Sequence, residues 1–158
     1  MTDIESPEKK TEMILASEIY LQASEEGQKM VVLKEHKDAD QFFMMFVGES
    51  EFMAIAKEKG LFEAPRPMTH EIYLKIFRKT PIRFIKVEIH SMREGTYYAD
   101  IYYEENNKEV SVDARPSDSV ALALHRNIPI YINKDLLRPV LTEKDIEDFK
   151  DIIKSVKF

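Results

Sequence analysis

The residues with the clearest chemical potential lie in one turn, Val112-Asp113-Ala114-Arg115-Pro116-Ser117-Asp118. An alternating strand ends there, with Val110 and Val112 inward and Ser111 and Asp113 outward, and a helix containing Val120-Ala121-Leu122-Ala123-Leu124 follows. Pro116 suits the first helical position, where its missing N–H costs nothing, and Asp118 suits the positive end of the helix dipole. Either Ser117 or Arg115 is the N-cap. If it is Arg115, first-turn N–H groups lack a side-chain partner and can receive an anion. The plainer reading is that Asp113, Arg115 and Asp118 close the turn through a salt bridge and a dipole contact. The chain has no cysteine, so any metal would have to be held by His, Asp or Glu.

Several elements must position that turn. Residues 1–11 read as a disordered leader, polar and broken by Pro7. Met13 to Ala23 alternates as one strand, Gly27 supplies a turn, and Lys29–Lys34 returns. The continuous apolar run Phe42–Val47 predicts a fully buried strand, followed by a helix over Glu49–Lys59 that stops at Gly60. Pro65-Arg66-Pro67 forces an extended link. Thr69 then caps a second helix through Lys79, with Ile72, Tyr73, Ile76 and Phe77 as its buried face.

A three-strand meander follows over Ile82–His90, Thr96–Glu104 and Lys108–Asp113, turning at Arg93-Glu94-Gly95 and Asn106-Asn107. After the helix at 116–125, Asn127 is a left-handed cap, and Pro129 places the strand Ile128–Ile132 at a sheet edge or at a strand start. Thr142 to Val156 reads as a C-terminal amphipathic helix whose apolar stripe packs on its own domain or on another subunit. The fold class expected is α+β: a single domain over residues 12–140 with a largely antiparallel or mixed sheet and packed helices, and the C-terminal helix over 141–158.

Composition sets outer bounds. A chain of 158 residues with 44% hydrophobic and 33% charged residues is long enough for one cored domain. No run approaches a membrane span, and a cytoplasmic protein is expected. The net charge of −6 argues against a general nucleic-acid coat. That charge is uneven, however: residues 1–27 hold two lysines against seven acids, whereas Lys75, Arg78, Lys79, Arg83, Lys86 and Arg93 face only Glu88 in their stretch. Such a run is either a solvated surface or a phosphate contact.

Four segments together resemble the bifunctional nuclease family: Val47-Gly48-Glu49-Ser50-Glu51, Pro65-Arg66-Pro67-Met68-Thr69-His70-Glu71, Arg93-Glu94-Gly95-Thr96-Tyr97-Tyr98-Ala99, and Val112 to Leu124. They occur in the family's order across roughly residues 12–140. Two departures stand out. The family's Leu-Pro-Ile-Trp-Ile-Gly strand is Phe42-Phe43-Met44-Met45-Phe46-Val47-Gly48 here, and the region after the domain is reduced to one helix.

The resemblance implies phosphodiester hydrolysis in DNA or RNA. Without cysteine, this chemistry would use Mg²⁺ or Mn²⁺ held by carboxylates, with Asp113 and Asp118 as ligands and Glu51, or Glu49, beside them. Arg115 and Arg66 would pair with phosphate oxygens, Thr69 would assist in substrate binding, and His70 would act as general acid or base. The bland alternatives are a hydrogen-bonded structural role for His70 and first-turn helix charge for Glu49 and Glu51. Two other functions compete with a nuclease: a non-catalytic homo-oligomeric binding module, and a binder of a small anionic ligand at Arg115.

Overall fold

Two β-sheets share one hydrophobic core with three helices in the computed structural model, which describes residues 11–139. The first sheet has the order β1-β8-β5-β6-β7, and the second β2-β3-β4-β9. In chain order the strands are β1 (Met13–Leu15), β2 (Glu18–Ala23), β3 (Lys29–Lys34), β4 (Gln41–Val47), β5 (Arg83–Arg93), β6 (Thr96–Glu105), β7 (Lys108–Ala114), β8 (Ile130–Asn133) and β9 (Arg138–Pro139). The helices are α1 (Glu49–Glu58), α2 (Thr69–Phe77) and α3 (Pro116–Arg126). This is the expected α+β class, with β5 and β8 the one parallel pair among the described strands. The leader at 1–10 and the helix expected over 142–156 lie outside the described residues. Among the described residues no helix is long and apolar enough to cross a membrane.

The meander β5-β6-β7 follows from its turn residues. Glu94 and Gly95 have φ of 50° and 79°, and Asn106 and Asn107 have φ of 51° and 62°. Paired positive φ values match the right-handed twist of two-residue hairpins. At the far end of α3, Asn127 is the left-handed cap expected of it, with φ 54° and ψ 48°.

Three expectations are corrected. The stretch from Met13 to Ala23 is two strands in different sheets: the N–H of Ala16 donates to Ile130 O at 2.8 Å, whereas that of Ser17 donates to Lys34 O at 3.0 Å. The buried side changes phase at the crossing, with Ile14 and Ala16 buried before it and Ile19 and Leu21 after it, so Leu15 is exposed rather than inward with Ile19 and Leu21. The run Phe42–Val47 is only half buried, since β4 covers one face; Phe43 is fully buried and Phe46 is 62% exposed. Helix α2 is rotated from the expected face, burying His70 and Leu74 and leaving Ile72 and Ile76 exposed. Thr69 is its first helical residue and Met68 its N-cap.

Core packing fixes α3 between the sheet and the other helices. Val120, Leu122 and Ala123 are buried in the cluster that also holds Val87, Ile89, Ile55 and Leu74. Arg126, at the end of α3, donates to Leu74 O at 2.5 Å and so ties the last turn of α2. Pro129 immediately precedes β8, an interior strand, and its carbonyl accepts from Val87 N at 3.0 Å.

Candidate functional site

Arg115 is the sole residue between β7 and α3 and is the N-cap of α3, with φ −66°, ψ 141° and no side-chain cap on the helix. Pro116 at the first position requires no partner there. The guanidinium donates from Nε to Asp118 Oδ2 at 2.9 Å, from Nη2 to Asp118 Oδ1 at 3.2 Å, and from Nη2 to Glu51 Oε1 at 3.0 Å. Two helix N-termini thus hold one cation between them. The arginine still leaves 65% of its side chain exposed.

Glu51 reaches Arg115 by folding back over the start of α1, close enough to Gly48 that a methyl there would collide with its carboxylate. Glu51's own backbone N–H, against the opposing effect of burial and with help from Arg115, holds its carboxyl below the usual range. Asp118, and then Glu51, raise the already high pKa of Arg115. The guanidinium is a fixed, permanent charge.

Arg115 lies at the meeting point of two clefts. One, of about 610 Å³, has Tyr73, Phe77, Phe84 and Tyr103 along its walls and Thr69, Asp113, Arg115 and Asp118 among its other lining residues. Its rings pack edge to face, with centroids 5.7 Å apart for Phe77–Phe84 and 6.3 Å for Phe84–Tyr103. Burial first, and then the neighbouring Asp118, push the Tyr73 hydroxyl up. The other cleft, of about 500 Å³, is lined by Met44, Phe46, Met92 and Tyr97, with Arg138 and Arg115 as its arginines.

The fold brings the sequence-predicted residues only partly together. Thr69, Arg115 and Asp118 share the aromatic cleft. Asp113 borders it, but on β7 its neighbours Val112 and Ala114 pair with Ile101 and Ala99, while Asp113 pairs with Asp100; Val110 and Val112, expected inward, are 37% and 48% exposed because β7 is the sheet's edge strand. Strand alternation therefore directs its side chain to the other face. Asp113 has no hydrogen bond or ion pair with a described side chain. Arg66 is exposed on the link before α2 and likewise unpaired among the described residues, and Glu49 is exposed in the first turn of α1. Half of the basic run has local partners: Arg83 bonds Glu104 at 2.8 Å, Lys86 pairs with Glu88 at 2.9 Å, and Arg93 stacks on Tyr98 at 5.3 Å, whereas Lys75, Arg78 and Lys79 are exposed with no ion pair to a described side chain.

His70 faces a different group. Its Nε2 donates to Glu58 Oε1 at 2.7 Å, and His125 Nδ1 donates to the same oxygen at 2.9 Å. Among the described residues, Glu58, His70 and His125 are the three whose ligand-type atoms converge, all within 4.8 Å of one another. Asp113, Asp118 and Glu51 do not form such a group, since the Arg115 guanidinium lies between Glu51 and Asp118. Burial opposes charge on Glu58, but the hydrogen bonds from His70 and His125, with the charges of His125 and Lys57, outweigh it and hold its carboxyl below the usual range. Sequence reasoning reached only His70 of this trio. Glu58 and His125 both occupy last helical turns and are 67 residues apart, so no local spacing joins them.

Comparison with known proteins gives the family of the chain. A family model described as the bifunctional nuclease domain matches residues 31–145, a span that takes in α1, α2, α3 and the Arg115 turn. An uncharacterised protein of Mycobacterium tuberculosis is 32% identical over 146 residues, covering 83% of this chain and 87% of its own. Bifunctional nuclease 1 of Oryza sativa subsp. indica is 23% identical over 107 residues, which is 66% of this chain but only 32% of the rice protein. With the matched span containing each element around Arg115, the chain belongs to the bifunctional nuclease domain family.

Proposed function

We propose that this chain is a nuclease that hydrolyses phosphodiester bonds in single-stranded or loosely paired DNA or RNA. The observation that carries the reading is the Arg115 fork, pinned by two carboxylates yet largely exposed, at the mouth of a cleft walled by aromatic rings. Nε and Nη2 are taken up by Asp118 and Glu51, so Nη1 is the donor left for a phosphate oxygen, and unstacked bases settle on aromatic faces. The cleft volume is within the usual range for ligand pockets. Family membership supports the same chemistry.

In this reading Arg115 binds the phosphate and stabilises the charge that develops on it, while Asp118 and Glu51 hold the fork in place. Thr69 donates its hydroxyl to a phosphate oxygen, and Arg66 supplies a second, outer cation. Asp113 stands on the face of β7 turned away from the cleft, so no step is assigned to it. His70 acts as a positioning residue, since its bond to Glu58 fixes the start of α2 beside Thr69. Mg²⁺ or Mn²⁺, when bound, would polarise the phosphoryl oxygen. Glu51 and Asp118 already hold a guanidinium where such an ion would have to sit, so with Asp113 they fit it poorly, and no step is assigned to it.

The test is cleavage of a labelled single-stranded oligonucleotide by purified protein, with Mg²⁺, Mn²⁺ or a chelator. Arg115→Ala should lower the rate on the order of 100-fold while circular dichroism stays unchanged, and Asp113→Asn should cleave close to the wild-type rate. Full cleavage by Arg115→Ala would overturn the assignment.

A second reading, a non-catalytic homo-oligomeric module, is favoured by one observation: Phe46 and Met92 beside the second cleft are 62% and 50% exposed. Light scattering on wild type and Phe46→Glu decides it. That reading requires an oligomer that the substitution splits, together with no cleavage at all.

A further inference from the structure

We propose that Glu58, His70 and His125 form a binding site for one divalent cation of the Zn²⁺ class, separate from the Arg115 clefts and sharing only the positioning residues His70 and Glu58 with the nuclease reading. Three helices supply the ligands: Glu58 is the last residue of α1, His70 the second of α2, and His125 the next to last of α3. Zinc holds nitrogen and oxygen ligands at about 2.0–2.1 Å, which sets neighbouring ligand atoms about 3.4 Å apart in a tetrahedron. Here the two nitrogens stand 2.7 and 2.9 Å from Glu58 Oε1 and all three ligand atoms lie within 4.8 Å of one another, so an ion needs each nitrogen to move off the carboxylate by about half an ångström and the two imidazoles to settle at the same tetrahedral spacing.

Burial and charge favour an ion here. The side chains of His70 and Glu58 are 7% and 9% exposed, while His125 at 21% leaves one side open for water as a fourth ligand. Three protein ligands and one open position is a recurrent zinc arrangement. Two imidazoles and one carboxylate suit Zn²⁺, Co²⁺ or Ni²⁺, whereas Mg²⁺ and Ca²⁺ prefer all-oxygen shells. The C-terminal ends of α1 and α3 turn their negative dipole ends to the site. One opposing cation is present: Lys57 Nζ is 3.5 Å from Glu58 Oε1, but it is held by Glu71 at 2.5 Å. Glu58, Glu71 and Lys57 therefore sum to one negative charge before any ion enters.

The experiment is calorimetric titration of the untagged full chain with Zn²⁺, together with visible spectra on Co²⁺ addition. One equivalent of Zn²⁺ should bind and raise Tm, and Co²⁺ should give the intense d–d bands of a low-coordinate N/O site. Because substitutions that only reorient a ligand weaken metal binding by about 10–100-fold, removing a ligand in His125→Asn should weaken it about 100-fold or more. His125 is the ligand nearest solvent, so this variant keeps the test valid even where Glu58→Gln fails to fold. His36→Asn and His90→Asn should bind as wild type does. Absence of binding at micromolar Zn²⁺, undiminished binding in His125→Asn, or equal competition by Mg²⁺ would overturn the proposal. Nuclease activity does not enter the readout, so the two readings fail separately.

Discussion

At the scale of single residues, two side chains each gather partners from distant parts of the chain: Arg115 draws in Asp118 and Glu51, and Glu58 draws in His70 and His125. Glu58 has the clearer pH signature. Its carboxyl is held below the usual range in the folded chain, so it contributes stability that is fully present above the unfolded value and is lost as pH falls through the folded one. Glu58→Gln should therefore cost about 2 kcal/mol at neutral pH, the scale of hydrogen bonds to a charged group. That cost should shrink as pH drops below the ordinary carboxylate range. Urea unfolding of both proteins across pH measures it, and a cost that stays constant with pH would contradict the account. Half of the Arg115 arrangement was legible in the sequence, because Arg115 and Asp118 are three residues apart at a helix start. Glu51 was not legible as its partner, since 64 residues separate the two and only the packing of α1 beside α3 joins them.

At the scale of elements, α2 shows where periodicity loses its grip. Ile72, Tyr73, Ile76 and Phe77 make a convincing apolar face, yet the helix buries Leu74 and His70 instead. Its apolar residues run around most of its circumference, so hydrophobicity alone does not choose the rotation. The His70–Glu58 bond and the Arg126 contact to Leu74 O select it. Leu74→Ala should then cost roughly 3 kcal/mol, as full burial demands, whereas Ile76→Ala, at a side chain 59% exposed, should change stability by less than about 1 kcal/mol. Denaturant midpoints for the two variants check this, and the reverse order would restore the face predicted from the sequence. Elements set by local backbone geometry read more reliably: the Asn106-Asn107 hairpin, the Asn127 cap and Pro116 at the start of α3 all stand as expected. The switch of sheets at Ala16-Ser17 had no local signal, because it depends on which distant strand each residue meets.

At the scale of the whole molecule, the charge is −6 and the basic residues of strand β5 are largely matched by local partners, so under the nuclease reading the free cations are few, Arg66 and the group Lys75, Arg78 and Lys79. A protein making one or two phosphate contacts should show a shallow salt dependence, with a slope of about −0.7 per contact for single strands. Affinity and rate then rest on the geometry of one guanidinium more than on bulk charge. Lysine keeps the positive charge of arginine but lacks the planar group that bonds Asp118 and Glu51 at once and still presents a donor outward. The most direct measurement is accordingly the single-turnover cleavage rate of a single-stranded oligonucleotide by wild type, Arg115→Lys and Arg115→Ala under identical salt. The account predicts that Arg115→Lys loses most of the activity and lies close to Arg115→Ala; cleavage by Arg115→Lys at the wild-type rate, or by all three proteins equally, would contradict it.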